Sequence, residues 1–194
     1  MKASRRRRVW LALVVTGLLA WTVGCTSTVT PPARVANPTE VLLIRDAMHR
    51  GLLLPNGNGF VEFGFGDWSW YALGNDSWYH VFPTVLWPTQ GTLSRRQHHA
   101  SDSASARAAM SWAEFESFVV ERETAERLRD RLEAAFAARA GERVHQANQR
   151  MGIVPYDDSY RLLDNSADAS AVWLTELGCA VSWVPIRTDL TSAR

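Results

Sequence analysis

Leu52-Leu53-Leu54-Pro55-Asn56-Gly57-Asn58-Gly59-Phe60-Val61-Glu62-Phe63-Gly64 is the stretch on which the fold turns. Apolar runs stand on either side of Pro55 to Gly59, five residues of turn chemistry in which glycine and asparagine let the chain reverse cheaply. Upstream, Val41-Leu42-Leu43-Ile44 is a further β-branched run, ended by Arg45-Asp46. The opening third is therefore expected to be an antiparallel hairpin or meander, with His49 at the start of its middle strand. Gly64-Phe65-Gly66-Asp67-Trp68 is expected to break it.

Beyond that break, Trp68 to Trp87 carries Trp68, Trp70, Tyr71, Trp78, Tyr79, Phe82 and Trp87 without a helical or strand period. Short helices and irregular structure are expected, the rings anchoring core and loops rather than forming a stacking surface for sugars or peptides. Gln97 to Arg107, rich in Ser, Ala and His, reads as a surface loop. His98 and His99 inside it have no Asp, Glu or Cys at ligand spacing, so neither a metal nor another cofactor is expected. Phe115 to Val120 reads as a strand. From Arg122, Leu128, Leu132, Ala135 and Phe136 mark an amphipathic helix ending near Gly141, with Glu126, Arg129, Asp130 and Glu133 on a solvated face. Tyr160 to Leu163 reads as a short strand. Asp164-Asn165-Ser166 then offers N-cap chemistry to a helix with Ala169, Val172, Trp173 and Leu177 as its apolar face, stopped by Gly178. Ala180 to Ile186 is the last expected strand, before a polar tail. The mixture of elements argues for an α+β domain.

The other end of the chain sets the compartment. Lys2 and Arg5 to Arg8, then the apolar run Val9 to Val23, then Gly24 before Cys25 follow the order of an export signal. Thr16, Gly17 and Thr22 interrupt the run, which falls short of the ~20 residues of a spanning helix, so cleavage is expected. Thr22-Val23-Gly24-Cys25 resembles a lipobox, with Thr22 where Leu is usual, which makes Cys25 the lipidation candidate. Residues 1–24 are read as a lipoprotein signal peptide, 25–38 as a tether rich in Pro and Thr, and 39–194 as one α+β domain. An uncleaved N-terminal anchor is the other reading, and both place the domain in the bacterial cell envelope, membrane-anchored and facing the periplasm. Thr26 after Cys25 points to the outer membrane by a sorting habit of some bacteria. Loss of the signal removes five of 21 basic residues against 20 acidic ones, leaving a charge of −4 that disfavours a nucleic-acid partner. With Cys25 acylated, Cys179 has no partner and is expected to pack as a small apolar residue.

Several pieces together resemble the family labelled domain of unknown function 2459, a group of small envelope-associated bacterial proteins. They are Met48-His49-Arg50-Gly51-Leu52-Leu53-Leu54-Pro55, Val61-Glu62-Phe63-Gly64-Phe65-Gly66-Asp67 with Tyr71, Leu86-Trp87-Pro88-Thr89, and Tyr160-Arg161-Leu162-Leu163-Asp164-Asn165-Ser166-Ala167-Asp168 with Leu174 and Gly178. The resemblance implies a circularly permuted papain-like fold of the NlpC type, an antiparallel sheet packed against helices. It also implies a histidine on an early strand meeting a cysteine at the start of a late helix. There the helix dipole and the imidazole would generate a thiolate. His49 takes the base position, and Glu62 or Asp67 would orient it.

The nucleophile departs from that pattern: where the family reads Asn-Cys-Asn, this chain reads Asn165-Ser166-Ala167. A hydroxyl's intrinsic pKa lies far above a thiol's, so the same surroundings do not populate an alkoxide. The expectation is a catalytically inactive papain-like domain that binds an envelope ligand such as a cell-wall peptide or an acyl group. A hydrolase or acyltransferase using Ser166 and His49 is the alternative, and a purely structural lipoprotein a third. The plainer readings are Ser166 as a helix-capping residue, His49 as a half-buried strand residue with a satisfied hydrogen bond, and Asp67 as a turn acid.

Overall fold

The expected reversal forms. In the computed structural model, which describes residues 25–46, 49–57, 59–75, 87–146, 150–161 and 164–193, Gly57 takes a φ of 55°, a conformation glycine adopts without steric cost. It returns β3 (His49–Asn56) as β4 (Gly59–Asp67), with Leu52 opposite Phe63 and Leu54 opposite Val61. β2 (Pro38–Asp46) pairs with the other side of β3, and β4 continues into β5 (Thr89–His98). β6 (Glu114–Glu121) closes one edge on β2, while β8 (Met151–Tyr160) and β7 (Val144–Gln146) extend the other. The result is a seven-stranded antiparallel sheet in the order β6-β2-β3-β4-β5-β8-β7.

Helices cover both faces, which is why β2 to β4 read as near-continuous apolar runs instead of alternating ones. On the first face, Leu43, Leu52, Phe63 and Phe65 pack against α3 (Arg122–Ala138) and α4 (Ser166–Glu176) through Leu128, Leu132, Ala171 and Leu174. On the second face, Leu42, Ile44, Leu53 and Phe60 meet Ala106 of α2 (Ser103–Ala109) and the following Met110. There too, Trp68 and Tyr71 of α1 (Trp68–Tyr71) pack with Met151 and Ile153. Each fully buried Leu or Phe contributes about 1.5–3 kcal/mol, so both layers matter to stability.

The mixed α+β architecture follows the sequence, but several segments differ from expectation. The supposed tether begins as β1 (Cys25–Thr30), which pairs in parallel with β10 (Arg187–Ser192) and antiparallel with β9 (Ala180–Val181) in a second, three-stranded sheet. Val29 and Leu190 are fully buried, so β1 belongs to the folded domain, which does not wait for Thr39 to begin. The expected strand Ala180 to Ile186 is only β9, and the polar tail is β10. The strand ends at Asp67, inside the expected break Gly64 to Trp68, with Gly64 and Gly66 still keeping their ladder partners on β5. Gln97 and His98 end β5, and Ser103 to Ala109 is helical, with Asp102 and Ser105 forming a capping box, so the expected surface loop is mostly regular structure. The strand expected at Tyr160 instead runs from Met151 and ends there. In α4 the buried face contains Ala167, Ser170, Ala171, Trp173 and Leu174, while Val172 is 57% exposed. The signal segment, Met48, Trp78, Tyr79, Phe82, Leu162 and Leu163 lie outside the described residues.

Candidate functional site

Glu62 sits mid-strand in β4, opposite Leu53 on one side and Arg96 on the other, with its side chain on the second face and no solvent exposure. The ladder places Arg96 and His98 on that same face of β5, and His49 reaches it from the first residue of β3. Glu62 Oε1 accepts from His49 Nε2 at 3.0 Å. Oε2 accepts from His98 Nε2 at 2.7 Å and from Arg96 Nε and Nη2 at 3.0 and 2.7 Å. Burial alone would raise the carboxyl's pKa, but hydrogen bonds from both imidazoles and the Arg96 charge reverse this and hold it well below the usual range.

An ionised Glu62 can only accept, so both histidines carry a proton on Nε2. His49 Nδ1 is a buried ring nitrogen with no hydrogen-bond partner among the described residues. Two glycines make room for the rings. A Cβ on Gly64 would lie 2.5 Å from His49 Cε1, and one on Gly66 would lie 2.3 Å from the Tyr71 ring. The Tyr71 and His49 ring centroids are 5.8 Å apart, and Trp112 lies 5.4 Å from the Arg96 guanidinium carbon.

The structure thus brings together two of the four residues singled out as catalytic candidates and chooses Glu62, not Asp67, as the partner of His49. Asp67 accepts from Trp70 N at 2.8 Å and from Thr89 Oγ at 2.5 Å, capping α1. Ser166 is the first residue of α4, which packs on the first face, whereas the His49 ring points onto the second. The sheet lies between them, so the expected Ser166–His49 pairing does not form. Nor does Ser166 cap its helix: Asn165 does, accepting from Ala167 N at 2.8 Å and Asp168 N at 3.3 Å. His98 falls in the Gln97 to Arg107 stretch that reads as a loop, and Arg96, just before it, carries no strand signal of its own. Their period-two spacing with Ser94 was the available signal. Cys179 is buried as expected, which pushes its thiol up to about 11.

A cavity of about 360 Å³ opens on the first face at the start of α4. Phe65, Tyr156 and Trp173 contribute apolar lining, and Asp158, Asp164 and Asp168 contribute carboxylates. Arg161 pairs with Asp164 at 2.5 Å, and Arg187 with Asp168 at 2.6 Å. Burial raises the Asp168 carboxyl above its usual range despite that partner. Asp158 has no cation within ion-pair distance among the described residues. No group of three or more His, Cys, Asp or Glu among them is arranged to hold a metal ion.

Fold and site together define an α+β domain on an antiparallel sheet, with a buried Glu–His–Arg cluster on one face and an acid-lined cavity on the other. No family model, curated protein or solved structure matches the chain.

Proposed function

We propose that this is an envelope-anchored, non-enzymatic binding domain, held by a lipid on Cys25, whose cavity at the start of α4 takes a cell-wall peptide bearing a free amino group. The observation that carries this reading is the make-up of the cavity. Aromatic rings offer flat contact area, and three carboxylates share the mouth with one lining arginine, Arg161. Concave sites with apolar lining and a few convergent polar groups are the usual places where small ligands bind. The surplus of carboxylates, with Asp158 unmatched, favours an ammonium over the carboxylate end of an acyl ligand.

The permuted papain-like relationship remains proposed, as ancestry. In it Ser166 stands at the nucleophile position, while His49, bound to Glu62 on the opposite face of the sheet, does not stand at the base position. The test is calorimetric titration of the chain with a cell-wall stem peptide and its N-acetylated form. Binding of the free amine is expected to weaken about tenfold, or ~1.4 kcal/mol, on acetylation and again in Asp158→Asn. Binding indifferent to both changes would discard the site. Covalent labelling of Ser166 by a serine-directed phosphonate would discard the non-enzymatic reading.

A further inference from the structure

The small sheet has an unusual end. Cys25, the first residue of β1, lies opposite Arg187 at the start of β10. On the other flank β9 runs antiparallel, with Thr30 opposite Ala180 and Val29 opposite Val181. The register continues past β9: Ser182 N donates to Thr28 O, and Ser27 Oγ donates to Ser182 O at 2.9 Å. The chain therefore descends beside β1 toward Cys25 and has to pass the first residue of that strand to enter β10 on the opposite flank. The passage is Trp183-Val184-Pro185-Ile186, four apolar residues of which none is buried. Trp183 is 81% exposed, the highest value for any large apolar side chain among the described residues.

Upstream of Cys25 the chain is the apolar run Val9 to Val23. Whether that run is cut away to leave a lipid on Cys25 or stays as an anchor, the bilayer begins where β1 begins. We infer that Trp183 to Ile186 is a membrane-docking surface, seated in the interfacial zone of the bilayer that the chain enters at Cys25. This rests on the envelope-anchoring reading. Tryptophan favours that zone because its ring is apolar and its indole N–H remains wet. The loop carries no charge, and the neighbouring Arg187 is taken by Asp168 and Ser27. The contact is therefore apolar, and its role is to fix the domain's orientation, since acyl chains already supply affinity.

The test reconstitutes the full chain, purified from host membranes, into phosphatidylethanolamine–phosphatidylglycerol vesicles whose acyl chains are brominated close to the headgroup. Tryptophan quenching is compared between the unaltered chain, Trp183→Phe and the control Trp112→Phe. Trp183→Phe is expected to lower the quenched fraction, with the difference unchanged in high salt, and Trp112→Phe is not. Equal quenching in the unaltered chain and Trp183→Phe, with the protein in the membrane pellet, overturns the docking surface alone. Absence from the pellet overturns the anchoring reading and the docking surface with it. Palmitate incorporation, abolished by Cys25→Ser, separates a lipid from an uncleaved anchor, and the quenching comparison reads the same way for either.

Discussion

A carboxylate shut away from water must find its compensation in neighbouring side chains, and Glu62 finds it in His49, His98 and Arg96. Unfolded, the residue has its ordinary pKa of 4.5, and folded it is depressed. The stabilisation is therefore fully present above about 4.5 and is lost as pH falls toward the folded value, because the unfolded chain takes up the proton first. Glu62→Gln is expected to cost about 3–5 kcal/mol at neutral pH, since it removes one partner of the buried ion pair with Arg96. It should also flatten the acid-side loss, both read by urea unfolding across pH. The sequence displayed half of this cluster. Glu62 stood out in an apolar strand and His49 at a strand start, but two candidate acids remained, because nothing along a chain says which faces an imidazole across a ladder. Arg96 and His98 were hidden by a composition of Arg, Gln and His that a solvated loop would share.

At the level of elements, legibility followed the strength of the local signal. The Asn56-Gly57 reversal and the Leu128, Leu132, Phe136 stripe are short-range patterns, and both elements formed as read. β8 was missed because Pro155, Asp157 and Asp158 are poor strand residues: Pro155 is held by pairing with Thr92 of β5, and Asp157 and Asp158 sit in a bulge where the register with β5 slips. β1 and β10 were missed because, among their described side chains, only Ser27, Val29 and Leu190 are buried, and the other described positions are polar. The start of α4 was legible as capping chemistry but assigned one residue late. Asn165 does more than cap: its Nδ2 donates to Arg187 O at 2.9 Å, tying the helix to β10. Asn165→Ala is accordingly expected to cost about 1–2 kcal/mol, toward the upper end for a cap, measured by chemical denaturation.

Across the whole molecule, the two sheets are joined through a common core in which Val29, Leu190 and Cys179 pack with the residues of α3 and α4. The connection after β1 also runs over the end of α4, where a Cβ on Gly178 would lie 3.8 Å from Pro32. A chain shortened to begin at Thr39 is therefore expected to unfold at lower temperature and to release Cys179. In residues 25–194 carrying Cys25→Ser, that thiol should react slowly with iodoacetamide, and in the shortened chain severalfold faster. Equal rates would mean that β1 is dispensable to the core. Under the proposed anchoring at Cys25, a strand that starts at the fastened residue has a further result for what the domain can meet. A module on a long cord sweeps a hemisphere and samples whatever drifts through the volume beneath it. One with no slack between its fastening and its first ladder is confined to a thin layer, and its encounters are governed by lateral traffic across the sheet of lipid, in two dimensions instead of three.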